Sequence, residues 1–170
     1  MKKTLTTIAI LILFSGFFMA QKYAFVDTEY ILDRIPSYKA AQDQLDKLSE
    51  EWQAEIETMY DEIEKMYRDY QSEKVLLSEE MKVKKEEEII QKENEAKELQ
   101  RKYFGQEGSL FKKRQELIKP VQDEVYLTVK EIANEGNYAV IFDTASGASM
   151  LYTDPKYDKS DEVLEKLGYK

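Results

Sequence analysis

The chain has 170 residues, 25 basic against 34 acidic, and contains neither histidine nor cysteine. An acidic balance argues against nucleic acid, whose phosphates demand a basic face. The two missing residue types remove cysteine nucleophiles, Ser-His-Asp triads, disulfides and most zinc sites. No P-loop is present, and no G-x-G-x-x-G opens a helix after a strand. Carboxylates, lysines and tyrosines are the chemistry that remains, and no cofactor or metal is expected.

Lys2 and Lys3, the apolar run from Leu5 to Phe18 and the small Ala20 follow the order of a secretory signal peptide. The run is short for a bilayer, which takes about 20 apolar residues to cross. No cysteine follows it, which excludes a lipid-attached lipoprotein. The expected leader is 1–20, and the expected mature protein is a single exported domain over 21–170.

Tyr23 to Val26 reads as a short strand, apolar throughout and therefore predicted to be buried on both faces. Thr28 to Ile35 reads as a helical turn ended by Pro36, after which the Ser37 hydroxyl is placed to cap a long helix. Tyr38, Ala41, Leu45, Leu48, Trp52, Ile56, Met59, Ile63, Met66 and Tyr70 then recur in steps of three and four. That rhythm is a coiled-coil seam. "SEKVLLSEEM" breaks it, and a helical hairpin is predicted to turn at 72–80, with Val75, Leu76 and Leu77 making an unusually apolar tip.

The return helix is predicted from Ser78 to about Asn134, with Ile89, Ala96, Tyr103, Leu110 and Leu117 spaced by seven. Gly105 and Gly108 weaken it, and Pro120 is expected to kink it. "GNYAVIFDTASGASMLYTDP" changes the period: Gly136 and Asn137 stop the helix, Tyr138 to Phe142 forms a second strand and Ser149 to Tyr152 a third. The helical hairpin would return the chain so that Tyr23 to Val26 pairs with Ala139 to Phe142. A final capped helix, "DKSDEVLEKLGY", offers Val163, Leu164 and Leu167 to the same sheet. Three short strands leave apolar faces uncovered, which association with further copies would close. "VIFDTASG" resembles an aspartic-protease strand, but Ala145 stands where the glycine belongs, and Asp143 reads as the end of a strand and the start of a turn.

In this order and spacing, "YAFVDTEYILDRIPSYKAA", the helical hairpin and "ELIKPVQDEVYLTVKEIANEGNYAVIFD" resemble the Skp (OmpH-like) family of periplasmic chaperones. The resemblance implies an α+β fold: a long antiparallel helical hairpin (37–134) on a small β body (21–36 and 135–170). It further implies a homotrimer whose strands form a β-barrel-like core, contributed by Tyr23, Phe25, Val26, Val140, Ile141 and Phe142. The function it implies is that of an ATP-independent, non-enzymatic holdase, which binds unfolded outer-membrane proteins between helical arms in the periplasm. Met and Tyr suit such a lining because they are adaptable or amphipathic. The client-binding candidates are Met59, Tyr60, Met66, Tyr67, Tyr70, Leu76, Leu77, Tyr103 and Phe104. Familiar members are strongly basic, whereas this chain has a pI near 4.8, so lipopolysaccharide contact and electrostatic capture of clients are not carried over. The rival reading is a periplasmic coiled-coil spacer or membrane tether, which does not need the terminal strands to meet.

Overall fold

A computed structural model describes residues 21–147 and 150–169; the expected leader and Ser149 lie outside them. In chain order the elements are β1 (Lys22–Val26), α1 (Thr28–Leu32), α2 (Pro36–Glu73), α3 (Glu79–Phe104), α4 (Ser109–Leu117), α5 (Lys119–Gly136), β2 (Tyr138–Asp143), a 3-10 turn (Pro155–Tyr157) and α6 (Ser160–Lys166). They divide into two compact units. One joins residues 21–31 with the described residues from Tyr126 onward, and the other is Leu32–Val125.

In the first unit β1 and β2 pair in parallel, with Tyr23 opposite Val140, Ala24 opposite Ile141 and Phe25 opposite Phe142. Parallel strands need a long crossover connection, and everything between β1 and β2 supplies it. The pleat sends Ala24 and Val26 inward, at 0% and 3% exposure. It sends Tyr23, Val140 and Phe142 to the other face, where each stays 44–48% exposed. The expectation of strands buried on both faces is thus corrected: within one chain the sheet has one covered face.

The predicted third strand is also corrected. Among the described residues the sheet has two strands, and Met150 to Tyr152 are not in one. The outer edge of β1 is met by Asp158 and Lys159, whose N–H donates to the Phe25 carbonyl at 2.8 Å. Just beyond, the Asp27 N–H donates to Ser160 Oγ at 2.8 Å, and Lys166 of α6 forms ion pairs with Glu131 and Glu135 of α5 at 3.0 and 2.8 Å. Ile31, Ile132, Val163 and Leu164 are the other deeply buried apolar side chains of this unit.

Asp143 ends β2 and binds the start of α1. Its carboxylate accepts from Thr28 N at 3.2 Å, Thr28 Oγ1 at 2.8 Å and Ala145 N at 3.1 Å. The Thr144 N–H in turn donates to the Val26 carbonyl at 2.8 Å. These bonds lock the two strand ends together and satisfy a helix N-terminus.

In the second unit α2 begins at Pro36, not with a Ser37 cap. Ile35 is the N-cap residue and gives no side-chain bond. Proline is suited to the first helical position, because its missing N–H would have no partner there. The seam of α2 appears as buried Ala41, Leu45, Ile56, Ile63 and Tyr70. The chain turns between Glu73 and Glu79, and α3 starts at Ser78, whose Oγ accepts from Met81 N at 3.3 Å. Ile63 and Tyr70 pack against Ile89 and Ala96, flanked by Met59, Met66 and Leu77. A second cluster joins Ala41 and Leu45 to Ile118, flanked by Tyr38, Leu110 and Leu117.

The single return helix is corrected to three, α3, α4 and α5, interrupted at 105–108 and again at Ile118. A Cβ on Gly105 would lie 2.4 Å from the Arg101 carbonyl oxygen, and one on Gly108 would lie 2.7 Å from that of Tyr103. Only glycine permits these approaches. The interruption shifts the phase, so Ile118 rather than Leu117 is the buried residue, followed by Val121 and Val125. Pro120 stands in the first turn of α5, two residues beyond the break at Ile118; with no N–H to offer the Glu116 carbonyl it keeps α4 from running on into α5, so the expected disturbance takes the form of that break.

Gly105→Ala and Gly108→Ala are each expected to cost about 1–3 kcal/mol, as overpacking of a tight site does. A urea midpoint unchanged in both variants would show that the interruption does not depend on glycine. Asp143→Ala should cost about 1–3 kcal/mol, the penalty for orphaning its donors, with Asp143→Asn milder in the same titration.

Candidate functional site

The hairpin turn is the most exposed apolar point of the described chain apart from Leu151. Val75 and Leu76 are 91% and 88% exposed, while Leu77 folds back onto the cluster around Ile63 and Ile89. Val83 and Ile90, seven residues apart on one side of α3, continue the exposed apolar fringe, and Met81 is exposed on the other flank of the helix.

Next to it a cleft of about 290 Å³ is lined by Tyr67, Tyr70, Lys74, Glu86, Ile89 and Ile90. Its walls are held by hydrogen bonds across the hairpin. The Tyr70 hydroxyl donates to Glu86, and that of Tyr67 donates to Glu93 at 2.9 Å. Further along, the Tyr103 hydroxyl donates to Glu55 at 2.8 Å. Each bond holds the phenol in its protonated form. The pKa of Tyr70 is pushed up to about 12 by the hydrogen bond to Glu86, by burial and by the charges of Glu86 and Glu79. The pKa values of Tyr67 and Tyr103 are raised first by their own glutamate bonds.

Sequence reasoning did not single out Glu55, Glu86 or Glu93. The signal was available. In each Tyr–Glu pair the two positions add to nearly the same value, as partners across an antiparallel hairpin must.

The expected client-binding residues fall into three environments. Tyr60, Tyr67 and Leu76 reach solvent. Met59, Met66, Tyr70 and Leu77 contribute to the packing between the helices. Tyr103 and Phe104 are half-buried around Trp52, with the Tyr103 ring stacked on the indole at 4.7 Å and Phe104 edge-on at 6.4 Å.

The strand residues divide by the pleat. Tyr23, Phe25, Val140 and Phe142 share the uncovered face, where the rings of Phe25 and Phe142 lie 5.8 Å apart and Tyr23 meets Tyr157 at 5.2 Å. Val26 and Ile141 lie on the covered side. Among the described residues no three carboxylates gather where a metal ion could be held, and no helix is long and apolar enough to cross a membrane.

The described chain thus carries a long antiparallel helical hairpin between two paired strands, with large apolar side chains left in water. The family profile described as outer membrane protein (OmpH-like) matches residues 22–167. An uncharacterized protein of Aquifex aeolicus (strain VF5) is 33% identical over 159 residues, 94% of this chain and 93% of that protein. A crystal structure of a candidate OmpH-like outer membrane chaperone from Caulobacter crescentus CB15 superposes with a TM-score of 0.65 at 12% identity. The match covers 86% of this chain and 83% of that one, and at that identity the likeness speaks for the fold. The chain belongs to the OmpH-like family.

Because the Tyr70 bond needs a protonated phenol, its contribution is complete below the ordinary tyrosine pKa near 10 and is lost as pH rises through about 12. Ultraviolet titration should show late-ionising tyrosines, of which Tyr70→Phe removes the one near 12. The same variant should lower the urea midpoint at pH 8 and flatten its decline at alkaline pH.

Proposed function

We propose that the protein is an ATP-independent holdase of the periplasm, exported by a cleaved leader over 1–20 and active as a single domain over 21–170. It would bind unfolded outer-membrane proteins between the helical hairpins of a homotrimer and keep them from aggregating. Such clients expose alternating apolar side chains and unpaired backbone, which drive strand-to-strand association in water. The observation that carries this reading is the apolar fringe from Val75 and Leu76 to Ile90, left in water on the hairpin of an OmpH-like chain. Tyr60 and Tyr67 beside it present rings with polar ends, suited to weak contacts of low sequence preference.

The homotrimer is supported by the uncovered sheet face. Tyr23, Phe25, Val140 and Phe142 form an apolar layer that a single chain leaves open, and an antiparallel or parallel pair of short strands is marginal alone. The spacer alternative gives no reason for β1 to pair with β2 across the whole hairpin. Lipopolysaccharide contact forms no part of the proposal, given the acidic chain.

A urea-diluted outer-membrane barrel should stay soluble with near-stoichiometric trimer, and turbidity without that protection would refute the reading. Val75→Asp with Leu76→Asp should weaken protection severalfold while leaving the urea midpoint unchanged, since both side chains are already in water. Phe142→Asp should shift the mass in light scattering from trimer to monomer with helix content retained.

A further inference from the structure

Charge is sorted unevenly between the two sides of the hairpin. From Asp43 to Glu57, α2 carries six acids and one base, whereas Arg101 to Arg114 carries five bases and one acid. Neighbouring helices of opposite sign ordinarily neutralise each other by ion pairs. Nearer the turn this chain does so, with Lys85 to Glu73 at 3.3 Å and Lys92 to Glu62 at 4.0 Å across the hairpin. At the opposite end it does not. Asp43, Glu50 and Glu51 on α2, and Arg101, Lys112 and Arg114 on the returning side, are exposed, and among the described residues none has a side-chain partner. The one polar side-chain link between these two stretches is the neutral donor Tyr103 on Glu55.

We infer that this end of the hairpin docks on a second copy of the chain, the acidic surface around Glu50 and Glu51 of one subunit meeting the exposed bases of the short α4, Lys112 and Arg114, of the next. The partner is set by charge complementarity: each copy carries both halves of the contact, on different helices. Such a head-to-tail contact closes into a ring when the rotation permits, and a ring of three would use every half. This inference rests on the trimer proposed above and adds a control on it. The contact draws neighbouring hairpins together when no client is held, and it yields to salt because exposed charges are screened.

The absence of cysteine allows a single spin label at Gln71→Cys, an exposed site near the turn, with the mass checked by light scattering in every sample. Electron–electron distances between subunits should lengthen from about 0.01 to about 1 M salt, as the Debye length falls from about 30 to about 3 Å. Lys112→Glu with Arg114→Glu should give the long distances already at low salt, and adding Glu50→Lys with Glu51→Lys should restore the short ones. A trimer whose distances ignore salt, or whose charge swap restores nothing, would overturn the contact alone. A monomeric mass for the labelled wild-type sequence would overturn the trimer and the contact with it.

Discussion

Two parallel strands cannot be joined by a tight turn, and that constraint organises the molecule. β1 and β2 exchange hydrogen bonds over a register that begins with Lys22 opposite Tyr138, so the intervening chain must leave the sheet and return. A disordered connection of that length would have to be closed at an entropic cost that the short sheet repays poorly. A helical hairpin lowers it, because α2 and α3 meet through neighbouring contacts that form without the strands. The carboxylate of Asp143 on Thr28 and the Thr144 N–H on Val26 then bind the closed ends.

The hairpin is held by two kinds of contact with different consequences. Buried seam residues such as Ile63, Ile89 and Ala96 supply stability through area removed from water. The tyrosines do something else. Tyr67, Tyr70 and Tyr103 place rings against the seam and hydroxyls on glutamates of the facing helix, which fixes the relative register of two helices whose charged surfaces would otherwise tolerate sliding. What remains exposed is then a defined surface: aliphatic at the turn, amphipathic beside it, and charged at the far end.

Much of this was legible from the residues. The seam of α2, the helix start at Ser78, the apolar turn and the pairing of Tyr23 to Val26 with Ala139 to Phe142 follow from side-chain period and the need of a strand for a partner, whereas the cap expected of Ser37 gave way to Pro36 at the first helical position. The candidate site was half-legible. Leu76 at the turn is exposed, as are Tyr60 and Tyr67, each one residue from a seam position, while Met59, Met66 and Tyr70 pack within the seam to which their period assigned them, because periodicity names a helix face without saying how far a facing helix covers it.

The sequence by itself determined the alternation of strand, hairpin and strand, since the periods of two and three-and-a-half are properties of neighbouring residues. Tertiary structure decided the rest. The glycines at 105 and 108 became an interruption, not a weak spot, because carbonyl oxygens close on them, and this moved the buried position from Leu117 to Ile118. The stretch after β2 stayed out of the sheet, with Asp158 and Lys159 meeting the edge of β1 instead. Edge occupancy, helix phase across a break and the choice of a tyrosine's acceptor depend on which distant atoms arrive first within bonding distance, and no local pattern carries that information.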